Sequence, residues 1–384
     1  MDNKVKRPVS GFRPADESLQ PTLCYPSLAT CSLSSCCAGS GAGLTGPTGP
    51  AGGSCEQPAY TYVRSGEAIS VVDPATREII AGIEAPFPVA RMGFDPILRK
   101  VYLVSQDGEL AVIDGNTNTL EDAVVLLPAG DYTDSAIAVN PNNSLVYIAS
   151  RYNPFVAVVN GRTDEALLEI PLANTGSVAV NPNTNLVYVS TATGLAVINS
   201  NTNTVVGDID YEAQSGLSNL MVNNCSNMLV AADGDTLVLF DAKRNEFIKA
   251  ADIEEGIRAM ALDPGLGYLY VIDAAGNSAG IFDACSFARL GDLDLISIIP
   301  DYISVSVDPR SHMVYVTNIS NGATHIVDGG MNQQIAVVHG TASAFLGVAS
   351  SVTLACPSTC ALCSANGLPG PRGATGARGP QGAH

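Results

Sequence analysis

Ten cysteines and four histidines hold most of the metal and redox chemistry open to this chain of 384 residues. The histidines (His312, His325, His339 and His384) follow no spacing that a ligand set requires. The cysteines are sharply partitioned: Cys24, Cys31, Cys36, Cys37 and Cys55 precede residue 60, and Cys356, Cys360 and Cys363 follow residue 354. Only Cys225 and Cys285 lie between. Eight cysteines crowded into two tails predict covalent stapling in an oxidising setting, so those eight are the disulfide candidates. Adjacent Cys36 and Cys37 pair poorly with each other, which favours links to other segments or other chains. Zinc is a competing reading, because Cys360-Ala-Leu-Cys363 has the two-residue ligand spacing. No second pair accompanies it, and free thiols are the third alternative.

Catalytic signatures are missing from the sequence. It holds no Gly-x-Ser-x-Gly, no phosphate loop, no paired histidines and no Cys-x-x-Cys-His for covalent haem. The expectation is a protein that is not an enzyme and carries no cofactor. Acids outnumber bases 37 to 19, for a net charge of −18. Residues 60–354 alone carry 33 acids against 13 bases. That surface repels a phosphate backbone, so nucleic acid is not an expected partner. No apolar run reaches the roughly 18–20 residues of a membrane helix. The opening MDNKVKRPVSGFRPADESLQ has a basic start but lacks the apolar stretch of an ordinary signal peptide.

The elements that must position any site come from an internal repeat. One landmark is a turn and strand, as in NPNNSLVYIAS (140–150) and NPNTNLVYVST (181–191). It sets anchors at Tyr62, Tyr102, Tyr147, Tyr188, Leu229, Tyr270 and Tyr315. A second landmark, a strand ending in an acid or amide, sets others at Asp73, Asp114, Asn160, Asn199, Asp241, Asp283 and Asp328. Both give seven units of about 42 residues. Each unit holds four short runs rich in Val, Ile, Ala and Tyr, separated by Asn-Pro, Asp-Pro, Asn-Thr or Gly turns. In 177–209 the runs are SVAVNP, LVYVST, GLAVINS and TVVGDI. Four antiparallel strands at this period make a propeller blade. Small residues in the first run (Ala138, Ala179, Ala261) suit the inner strand, where blades converge.

The predicted fold is therefore all-β: a seven-bladed β-propeller of four-stranded antiparallel blades over 60–354. The first unit starts at its second strand, and 345–352 reads as the missing inner strand, so the C-terminal strand closes the ring and leaves no open edge. Both chain ends then leave from the face of the Asn-Pro turns, with Cys55 and Cys356 as neighbours. Residues 1–59 form a Cys-rich tail in which Gly43, Gly46, Gly49 and Gly52 recur every third position, giving a short collagen-like run over 43–54. Residues 355–366 are a Cys-rich linker. Residues 367–384 hold six Gly-X-Y triplets with Pro, the pattern of a triple helix. A flexible Gly-rich linker is the alternative for the first run.

The repeat units resemble the YVTN family of β-propellers over about 60–354, most faithfully at 140–206. The resemblance weakens at Asn223-Asn224-Cys225, where the Asn-Pro turn is lost. Propellers of this kind include lactone hydrolases and quinone or metal enzymes, so a lactonase-type enzyme is the implied third reading. The tails resemble those of collagen-like surface proteins of spore-forming bacteria. That likeness implies an extracellular, cell-surface or spore-surface location, and assembly from the mother-cell cytoplasm is one route needing no signal peptide. It also implies a homo-oligomer, a trimer or fibre held by the tails.

On this topology the loops opposite the Asn-Pro turns collect Asp131, Asp134, Asp210, Glu212, Asp252, Glu254, Glu255 and Asp301. They would make an acidic face for Ca²⁺ or a basic partner, set against the plainer reading of solvated loops. Arg91 and Arg258 are the basic residues expected near the channel. The functional expectation is a non-enzymatic structural or display protein presenting the propeller. An adhesion or ligand-binding head is the alternative.

Overall fold

The computed structural model describes residues 60–339, except 66–67, 74–75, 122–123, 294, 296–301 and 319–320, and again Leu346–Ala349. The tails lie outside the described residues, and with them the eight candidate disulfide cysteines and both collagen-like runs.

The chain forms seven antiparallel sheets arranged as the blades of a propeller. Blade 4 shows the plan, with an inner strand Val178–Asn181, a second Leu186–Thr191, a third Gly194–Asn199 and an outer Thr204–Asp210. Blade 1 takes its inner strand from the far end of the chain. Leu346–Ala349 pairs antiparallel with Tyr60–Ser65, Ala349 opposite Tyr60 and Gly347 opposite Tyr62. The ring is closed as the repeat count requires, and both ends of the propeller lie at the edge carrying the Asn-Pro turns.

Burial follows from each strand's place in its blade. Second and third strands lie between neighbouring blades and are apolar on both faces; Val187, Tyr188, Val189, Leu195, Val197 and Ile198 are all buried. Outer strands bury little, and Val205 and Val206 are exposed. The core is thus divided into seams between blades. Tyr188, Leu195 and Val197 of blade 4 pack against Leu229, Ala231, Val238 and Phe240 of blade 5. Each such side chain contributes about 1.5–3 kcal/mol on leaving water.

Tyrosine at the third position of the second strand is a strut across the seam. Its hydroxyl reaches the outer hairpin of the next blade: Tyr62 to Asn118 Oδ1 (2.5 Å), Tyr147 to Asn203 Oδ1 (2.7 Å), Tyr188 to Asn245 Oδ1 (2.9 Å). Those asparagines have φ of 54–58°, the left-handed conformation that a tight hairpin turn needs. Burial pushes the Tyr62 and Tyr147 phenols up to about 12, so they stay protonated donors.

Two details correct the repeat reading. In blade 5, Met228 pairs with Asn223 as Leu186 pairs with Asn181, so Val230 rather than Leu229 occupies the strut position. The lost tyrosine removed the landmark, and Leu229 stands one residue early. In blade 2 the outer strand is split into Thr119–Leu120 and Val125–Leu126, both paired with Glu109–Asp114. The other six blades carry a register shift in this region, as between Val197 and Ile198; blade 2 enlarges it into an insertion, which stretches its repeat interval.

Candidate functional site

The inner strands of blades 3, 4 and 5 begin at Ser135, Val178 and Leu217, on the face opposite the Asn-Pro turns. Short polar contacts hold the loops that deliver them. Buried Asp233 accepts backbone hydrogen bonds from Gln214 and Ser215, both at 2.7 Å, and so fixes the approach to blade 5. Thr175 Oγ1 donates to the Ser150 carbonyl at 2.9 Å, tying blade 4 to blade 3. Ser177 Oγ accepts from the Leu220 amide at 3.0 Å, tying blade 5 to blade 4. Ser190 Oγ accepts from the Ser177 amide at 2.7 Å. Serine and threonine recur here because a short hydroxyl satisfies backbone groups where strands end.

These loops surround a hollow of about 810 Å³, lined among others by Arg91, Ser135, Arg151, Asn174, Ser190 and Asn219. Asn174 and Asn219 have φ of 55° and 51°, and Asn219 sits in a register shift between Ser218 and Met221. The Ser135 hydroxyl is buried and has no hydrogen-bond partner among the described residues. Arg91 is partly buried; desolvation lowers its guanidinium pKa, the neighbouring Asp134 opposes that shift, and Arg64 reinforces it. The carboxylate of Asp134 also pairs with Arg151 at 3.5 Å. Guanidinium, hydroxyl and amide groups in one hollow favour an anionic or hydroxyl-rich ligand.

The acidic residues named from the sequence stand around this face without converging. Asp131 is exposed and accepts from the Thr133 amide at 2.9 Å; hydrogen bonding from the Thr133 side chain, and then from its amide, lowers the Asp131 pKa. Asp210 and Glu212 line a separate hollow beside Tyr211. Asp252 accepts from Thr236 Oγ1 at 2.8 Å. Glu254 is exposed, and Glu255 pairs with Arg289 at 2.6 Å. Asp301 lies outside the described residues. No three acids, histidines or cysteines gather as a metal site among the described residues. Arg91 lines the hollow, and Arg258 is exposed just before the inner strand of blade 6. Arg151 and the serine ring escaped the sequence reading, because they lie beyond strand ends where the repeat pattern is weakest.

No protein-family model matches the sequence, and no curated protein matches it. Among solved structures, the chain resembles Kuenenia stuttgartiensis hydrazine synthase with a TM-score of 0.55 and 15% identity, over 65% of this chain and 86% of the other. Identity at that level shows a shared fold alone.

Proposed function

We propose that this protein is a non-enzymatic structural or display component of an extracellular or spore surface. Its YVTN-like propeller forms the presented head, and its collagen-like, disulfide-linked tails form the assembly device. One observation carries the reading. Pairing of Tyr60–Ser65 with Leu346–Ala349 puts both ends of the propeller at one edge, so tethering and presentation use opposite faces. The carboxylate at the hollow, Asp134, is engaged by Arg151, which suits binding better than proton transfer. The test is the assembly state of the full-length protein on non-reducing gels and by light scattering. Trimers or larger species that fall to monomer with reductant and collagenase are expected, and a monomer throughout overturns the proposal.

The hollow itself favours a second reading, an adhesion head. Buried Ser135 holds a hydroxyl that has no partner among the described residues, at the hollow that Arg91 also lines. Screening the protein against acidic glycans, with Arg91→Gln and Ser135→Ala variants alongside, tests this reading. Binding that both variants retain unchanged counts against it.

A further inference from the structure

The seam between blades 5 and 6 lacks the strut found between blades 3 and 4 and between blades 4 and 5. Val230 replaces the tyrosine, and Phe287 stands where the next blade elsewhere carries its left-handed asparagine, with a φ of 60°. Both cysteines of the propeller flank this seam. Cys225 lies in the turn between Leu217–Asn223 and Met228–Asp233 of blade 5. Cys285 lies in the turn between Ala279–Asp283 and Arg289–Asp292 of blade 6. Both are disulfide-bonded.

We infer that Cys225 and Cys285 are bonded to each other, as a covalent staple across the one described seam where strut and receiving asparagine are both lost. The neighbouring seams show that these two turns meet. Cys225 takes the place of Asn142 and Asn183, whose side-chain amides cross to the next blade, at Pro182 O (2.5 Å) and Asn224 O respectively. Asn143, one residue on from Asn142, donates to Ser200 O at 3.0 Å. That carbonyl precedes Asn201, the counterpart of Cys285. Asn223 Oδ1 accepts from the Cys225 amide at 3.0 Å and Asp283 Oδ1 from the Cys285 amide at 3.1 Å, so both cysteine backbones are held in place.

Formation of the staple follows thiol–disulfide exchange. One cysteine thiolate attacks a low-molecular-weight disulfide and expels one thiol. The second cysteine then attacks the mixed disulfide and expels the other. Two cysteine thiols are oxidised, one external disulfide is reduced, and both protons leave on the released thiols. A protein finished in this way has met an oxidising compartment, whatever its tails do.

The experiment is tryptic mapping of the full chain without reductant. Peptides 163–243 and 259–289 should travel as one linked species that separates on reduction. Finding them separate, or finding either joined to a peptide holding Cys24, Cys31, Cys36, Cys37, Cys55, Cys356, Cys360 or Cys363, overturns the assignment. Cys225→Ser and Cys285→Ser should each lower Tm by roughly 5 °C, and the double variant by no more than a single one. Reductant should lower the wild-type Tm similarly and leave the variants unmoved. Additive losses in the double variant, or an equal response of the variants to reductant, would also overturn it.

Discussion

The hydroxyl of Tyr188 in blade 4 donates to the carbonyl of Ala242 in blade 5 at 2.6 Å, so one phenol joins two sheets that share no backbone ladder. Tyr188→Phe keeps the ring and leaves the buried carbonyl and Asn245 short of a donor. The expected loss is about 1–3 kcal/mol in denaturant unfolding. Among the described residues the phenol of Tyr270 has no hydrogen-bond partner, so Tyr270→Phe should shift stability by no more than about 0.5 kcal/mol. No loss at Tyr188, or a loss at Tyr270 as large as that at Tyr188, would show that the strut hydrogen bonds do not set the cost.

Glycine carries part of the same design. A Cβ at Gly161 would lie 2.2 Å from Tyr102 Oη and 2.8 Å from the Ser144 carbonyl. The side chain could turn away, but the backbone cannot. Gly161→Ala should therefore cost about 2 kcal/mol or more. Gly207→Ala in the outer strand of blade 4 meets nothing within 4 Å and should be neutral or mildly stabilising by chemical denaturation.

His312 Nδ1 lies 2.8 Å from Asp263 Oδ2, across the seam from blade 7 to blade 6. Its pKa is raised by the hydrogen bond to Asp263, against burial, with Asp263, Asp308 and Asp328 adding attraction. The unfolded value is about 6.5. A raised folded value means that the contribution is fully present below the unfolded pKa and fades as pH rises through the folded one. His325 acts in the opposite sense, because burial lowers its pKa and its stabilisation is lost on acidification. The difference between wild type and His312→Asn isolates the first effect. It should favour wild type most in mild acid and shrink toward pH 8, and a flat difference would refute the assignment.

Calcium should leave the propeller unchanged. Asp252 is bonded to Thr236 and Glu255 to Arg289 in the connection between blades 5 and 6, while Asp134, bonded to Arg151, lies on another stretch of the rim. Calorimetry with millimolar Ca²⁺ should give no binding heat from these carboxylates and no change in Tm on chelation. A saturable heat lost in Asp134→Asn or Glu255→Gln would reinstate the acidic face as a cation site.

The ring was legible because its two landmarks have physical causes. Tyrosine and valine mark strands held between blades, and Asn-Pro or Asn-Thr marks turns that need special dihedral angles. Closure by residues near Leu346 followed from the strand missing ahead of Tyr60. The pattern misled where packing replaced polar bonding, as at Val230, and where an insertion split a strand, as at Val125–Leu126. The hollow was less legible still. Ser135, Arg151 and Asn219 come from different blades, and only the closed ring brings them together. Cys225 gave its signal in the broken turn at Asn223-Asn224, which read as decay of the repeat rather than as a change of fastening.

Tyr60 waits for Ala349, 289 residues downstream. At ordinary synthesis rates that interval is roughly 15–60 s. Through all of it, blade 1 stands three strands wide, with the inner edge of Tyr60–Ser65 bare to any other chain. The last contact to form is also among the longest in sequence, and the entropy of so large a loop opposes it until the intervening blades have stacked. Order of manufacture thus makes the blade that begins the propeller the last to be completed.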